Sequence, residues 1–85
     1  GRQLHHWMVK RGQLPPRDFE LIDVEENVCI VHAHCHMESG QTREMFVKCL
    51  ETARQVLGET RLVRFYNGLN RFKPISSTDE LLRRY

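Results

Sequence analysis

Cys29-Ile30-Val31-His32-Ala33-His34-Cys35-His36-Met37 alternates apolar or sulfur-bearing residues with imidazoles, and its reading decides what the chain builds. Side chains of an extended strand point to opposite faces in turn. Extended backbone over residues 29–37 puts Cys29, Val31, Ala33, Cys35 and Met37 on one face. Ile30, His32, His34 and His36 then share the other. The first set suits the underside of a helix, and the second faces water or a partner.

The neighbouring segments extend this reading. Ile22 and Val24 alternate with polar residues, and Glu25-Glu26-Asn27 reads as a polar tip, which predicts a β-hairpin from residue 19 to residue 37. Ser39-Gly40 interrupts it. Phe46, Cys49, Leu50, Ala53, Val56 and Leu57 then recur at helical spacing and predict a helix over residues 42–57, closed by Gly58 in a left-handed cap. Leu62-Val63-Arg64-Phe65-Tyr66 and residues 69–73 flank Asn67-Gly68, the dipeptide that tolerates the positive φ of a tight hairpin turn, so a second hairpin is predicted. Ser77-Thr78-Asp79-Glu80 matches a capping box before Leu81 and Leu82, predicting a short closing helix. At the other end, Leu4, Trp7 and Met8 recur at three to four residues before Gly12 and Pro15-Pro16, which predicts a short helix and linker over residues 1–17.

The predicted class is α+β. A four-stranded, mostly antiparallel sheet of two hairpins packs on one long helix, with short N- and C-terminal helices, and residues 18–85 form the single domain. Residues 61–82 resemble the second half of ubiquitin-like domains, where a strand reading Arg-Leu-Val (here Arg61-Leu62-Val63) passes through a glycine turn into a short strand and a polar-capped segment. The resemblance implies a β-grasp order for the sheet. Because the first residues carry no start methionine and the chain stops inside a predicted helix, an excised piece of a longer protein is expected.

Eighty-five residues, 40% hydrophobic and 28% charged, describe one small folded domain. A chain of this size buries roughly 60% of its unfolded surface, enough for one core and a shallow groove but not for an enclosed cofactor cavity. The formal charge of +2 is too small to imply a nucleic-acid binder by itself. Three cysteines without close pairing spacing favour a reducing, intracellular and cytoplasmic setting. No apolar run is long enough to cross a bilayer, so no membrane partner is expected.

Three readings compete at the histidine strand. His32, His34 and His36 are candidate ligands for a divalent transition metal, with Asp23, Glu38, His5 or His6 completing the shell. His32-Ala33-His34-Cys35-His36-Met37 also resembles the histidine-triad motif of nucleotide hydrolases and transferases, a resemblance that implies His34 as a nucleophile toward phosphate with His32 and His36 in support. The favoured reading is a solvated or partner-binding sheet face, since a sheet covered on one side leaves the other wet. In the second hairpin Arg64 faces Arg71, Leu62 faces Lys73 and Tyr66 faces Leu69. Arg64, Tyr66, Arg71 and Lys73 are therefore the candidate partner-binding residues, with Arg61, Arg83 and Arg84 extending the basic stripe, and Trp7 either seals the N-terminal helix onto the sheet or stands exposed as a partner anchor. The expected function is a noncatalytic protein-interaction or assembly module. Nucleic-acid binding through the basic hairpin is the second reading, and metal or phosphate chemistry at the histidines the third.

Overall fold

The computed structural model describes residues 2–32 and 42–85. Strand β1, Arg2–His6, pairs antiparallel with strand β2, Val28–His32, in the register Leu4 opposite Ile30 and His5 opposite Cys29. Between them the chain runs through short 3-10 segments at Arg11–Gln13, Pro16–Ile22 and Glu25–Asn27. Helices α1, Arg43–Val56, α2, Glu59–Gly68, and α3, Asp79–Arg84, follow.

The four-stranded sheet and its β-grasp order are corrected by these elements: one two-stranded ribbon is present among the described residues, and helices make up most of the remainder. Residues 2–6 are strand rather than helix. A short isolated helix is costly to nucleate, whereas β2 offers a complete ladder. Pro15 and Pro16 turn the next segment into a 3-10 helix, where Phe19 and Ile22 lie three residues apart on one side and Ile22 is fully buried. The expected first strand is therefore absent.

The predicted second hairpin is also replaced, by helix α2. Leu62, Tyr66 and Leu69 are all buried, a spacing of four and three that fits one helical face. Asn67-Gly68 ends that helix instead of turning a ribbon, and Asn70 just beyond it takes a positive φ of 56°. Gly58 joins α1 to α2 at φ 92°, a conformation an L side chain resists. Three expectations hold. The helix over residues 42–57 forms, with the Thr42 hydroxyl accepting the Met45 N–H at 3.1 Å, and the chain closes on a short helix. Extended backbone is present over 28–32, with Cys29 half-buried against the core and Ile30 exposed. Ala33, His34, Cys35, His36 and Met37 lie outside the described residues.

Two asparagines hold the irregular parts. Asn27 is completely buried; its Oδ1 accepts the N–H groups of Met8 and Val9 at 3.0 and 2.8 Å. Its Nδ2 donates to the carbonyls of Val9 and Ile22 at 2.9 and 3.0 Å, while its own carbonyl accepts the Trp7 N–H. A side-chain amide thus continues the pairing that β1 and β2 begin, and lets Trp7, Met8 and Val9 pass into the core without orphaned backbone groups. Asn67 repeats the device on a smaller scale. Its Oδ1 accepts from Ile75 N and its Nδ2 donates to Ile75 O, both at 2.9 Å, which pins the return after α2.

The start of α3 is fastened by a polar network. Glu59 accepts the N–H of Thr78 at 2.6 Å and its hydroxyl at 2.5 Å, and Arg54 donates to the Thr78 hydroxyl, to Glu59 and to Asp79. Thr78 is fully buried, and Glu80 accepts from the Ser76 N–H rather than closing the expected capping box. Burial alone would raise the Glu59 carboxyl, but the hydrogen bonds from Thr78 and the charge of Arg54 together hold it below the ordinary carboxylate value.

Replacing Asn27 by Ala strands four buried backbone groups and is expected to cost on the order of 3–4 kcal/mol in urea unfolding. A loss under about 0.5 kcal/mol contradicts the clamp. The depressed Glu59 carboxyl stabilises the fold fully above its unfolded value of 4.5, and that contribution disappears as pH falls through the lower folded value. Glu59→Gln should therefore lower the urea midpoint at pH 7 and make the decline in stability below pH 4.5 shallower. An unchanged acid limb speaks against the network's role.

Candidate functional site

Where the N-terminal segment meets the helices, a half-open groove of about 270 Å³ remains. Its floor is apolar and comes from four parts of the chain: Trp7 and Met8 after β1, Phe46 of α1, Tyr66 of α2 and Leu81 of α3. Lys10, Gln13, Arg84 and Tyr85 complete the lining, and no Asp or Glu side chain is among these residues. Trp7 meets Phe46 edge-on at 5.3 Å, and Phe46 stacks on Tyr85 at 4.7 Å. Such pairs add about 0.5–1.5 kcal/mol beyond the area they bury, so the floor is a fixed aromatic surface.

The cations divide into those that meet a carboxylate and those, such as Arg43, Arg64, Lys10 and Arg84, with no acidic side chain against them among the described residues. Arg11, Arg54, Arg61 and Arg71 are of the first kind. Lys10 Nζ lies 3.4 Å from Nε2 of the buried His5, and burial holds its ammonium below the ordinary lysine value. Arg84 lies 5.9 Å over the Tyr66 ring and donates to the Tyr66 hydroxyl and to the carbonyls of Lys73 and Pro74. A partly dehydrated cation without a counter-charge beside an apolar floor favours an anionic group on a ligand, since the anion supplies the charge that burial has made unfavourable to leave alone.

The residues singled out in the sequence are placed as follows. Tyr66 is buried and lines the groove, stacked on Phe72 at 5.2 Å. Lys73 contributes its carbonyl to Arg84, while Arg71 binds Asp18 at 2.6 Å. Arg64 is exposed on α2, two residues from Tyr66 and so on another side of that helix. The cross-strand stripe of Arg64, Tyr66, Arg71 and Lys73 is not assembled, because the hairpin that defined it is a helix followed by a loop.

His32 ends β2 opposite Arg2, and His34 and His36 lie outside the described residues. Of the accessory ligands, Asp23 accepts His6 Nε2 at 2.6 Å and Arg11 at 3.4 Å. The hydrogen bond from His6, assisted by Arg11, holds the Asp23 carboxyl below its usual value although desolvation opposes the shift. No cluster of three or more metal-binding side chains occurs among the described residues. Sequence reasoning named Trp7 and Arg84 but missed Lys10 and Gln13, whose proximity to the helices follows only from the Asn27 clamp.

Among the described residues no helix is long and apolar enough to cross a membrane. Comparison of the chain with protein-family models, with curated proteins and with solved structures finds no match in any of the three.

Proposed function

We propose that the domain is a noncatalytic protein-interaction module that receives an apolar or aromatic side chain of an acidic partner segment in the groove. The carrying observation is Lys10, a partly dehydrated ammonium with no acidic side chain against it among the described residues, at the edge of an aromatic floor. Three further features support the reading. The volume lies just below the range of about 300–1,000 Å³ usual for small-molecule sites, a size suited to one inserted side chain. Aromatic and arginine residues are those that dominate protein interfaces. The floor is held by helix packing and needs little rearrangement to accept a guest.

Nucleic-acid binding draws less support. Arg71 is neutralised by Asp18 and Tyr66 is buried, so the basic stripe on which that reading rested is not presented as a continuous surface.

Titration with the pentapeptide acetyl-Glu-Glu-Gly-Leu-Phe, followed by two-dimensional ¹H–¹⁵N NMR, is expected to move the amides of Met8, Gln13 and Arg84 together. Lys10→Gln should weaken that binding about fivefold, close to 1 kcal/mol. Absence of shifts at the groove, or unchanged affinity in the variant, contradicts the reading.

A further inference from the structure

We propose that Cys29 and Cys49 are a redox modification site, a dithiol that closes to a disulfide on exchange with a small disulfide oxidant and so fastens the β-ribbon to helix α1. The site lies apart from the groove, and the proposal does not depend on the interaction reading above.

The placement of the two sulfurs carries it. Alternation along β2 sends Cys29 inward, in register with the buried His5 of β1, while its neighbour Ile30 stays exposed. Cys49 is buried on the face of α1 that it shares with Phe46, Leu50 and Ala53. Cys29 packs against the core cluster to which Cys49 belongs, and the two sulfurs, both free thiols, stand within bonding reach of each other. One buried cysteine is accounted for by packing. Two that converge from a strand and a helix meet the geometric condition for a bridge, which most cysteine pairs in a fold do not.

Unequal access sets the order of the chemistry. Cys29 is half-buried and Cys49 fully buried, so an oxidant such as glutathione disulfide meets Cys29 first. The Cys29 thiolate attacks one sulfur of the oxidant; the glutathione S–S bond breaks, one glutathione leaves, and a mixed disulfide stays on Cys29. The Cys49 thiolate then attacks the Cys29 sulfur and expels the second glutathione. The two protons given up by the cysteines end on the two glutathione thiols, and the two electrons lost by the dithiol are those gained by the oxidant. Excess reduced glutathione runs the same steps backwards.

The bridge acts where the fold needs a tie. Among the described residues β1 and β2 form a ribbon of two strands, and such a ribbon is marginal unless it is fastened to another element. Asn27 fastens the stretch that follows β1; a bond from Cys29 to Cys49 fastens β2 itself to α1. It also closes residues 29–49 into a loop, and closing a loop of that length in the unfolded chain favours folding by about a hundredfold.

The test equilibrates the folded, unaltered protein with excess glutathione disulfide, alkylates remaining thiols with iodoacetamide in urea, and maps tryptic fragments by mass spectrometry. The expected product is two hydrogens lighter than the dithiol, carries no glutathione, and has fragment 49–54 joined to fragment 18–43 through Cys29. Cys35→Ser should form the same cross-link, and oxidation should raise its urea midpoint by an amount matching about a hundredfold in the folding constant. With Cys29→Ser added, the oxidant should leave the midpoint unchanged. A glutathione adduct that persists on Cys29 while Cys49 is alkylated, a cross-link of Cys49 to Cys35, or no oxidation at all overturns the site. A Cys29–Cys49 cross-link that leaves the midpoint where it was overturns the fastening role.

Discussion

One buried amide decides how this chain is put together. Asn27 bonds to backbone groups of Trp7, Met8, Val9 and Ile22, four of the five bonds through its side chain, and so ties two segments to its own where no helix or sheet ladder joins them. Burying an amide is unfavourable unless its donors and acceptors are satisfied, and here both ends of the side chain are occupied. The ribbon of β1 and β2 can therefore continue inward as irregular chain, delivering Trp7 and Val9 to the core against Phe46 and its neighbours.

That delivery produces the groove. Its floor is a joint between the N-terminal segment and three helices, none of which forms a wall alone. The Glu59–Thr78–Arg54 network sets the start of α3 and hence the direction from which Leu81 and Arg84 approach. Asn67, through Ile75, fixes the loop whose carbonyls at Lys73 and Pro74 hold the Arg84 guanidinium. Charge then joins the aromatic floor at this joint: Lys10 and Arg84 line the groove with no acidic side chain against them among the described residues, whereas Arg11, Arg54, Arg61 and Arg71 are neutralised by neighbouring carboxylates.

Local pattern made some of this legible. Phe46, Cys49, Leu50 and Ala53 share one helical face, Thr42 caps it and Gly58 ends it, so α1 could be read directly from spacing. The inward and outward alternation of Cys29 and Ile30 was legible for the same reason. Non-local choices were not. The partner of β2 is β1, and no local pattern states that pairing. Asn27 stands in a polar run, where sequence favours a hairpin tip, yet it is the most fully bonded side chain of the inner core. Asn67-Gly68 fits a tight turn and a helix end equally well, and the buried positions of Leu62, Tyr66 and Leu69 decide for the helix. Lys10 gave no signal, because its importance comes from missing neighbours of opposite charge rather than from its own surroundings in sequence.

The most direct measurement is amide hydrogen exchange at Met8 and Val9, whose N–H groups end on the Asn27 side chain. The account predicts that both exchange only through global unfolding, with protection equal to that of the Phe46 and Leu50 amides in α1. Exchange of Met8 and Val9 at the rate of an unstructured chain, while α1 stays protected, contradicts it, since the segment that builds one side of the groove is then not held in place.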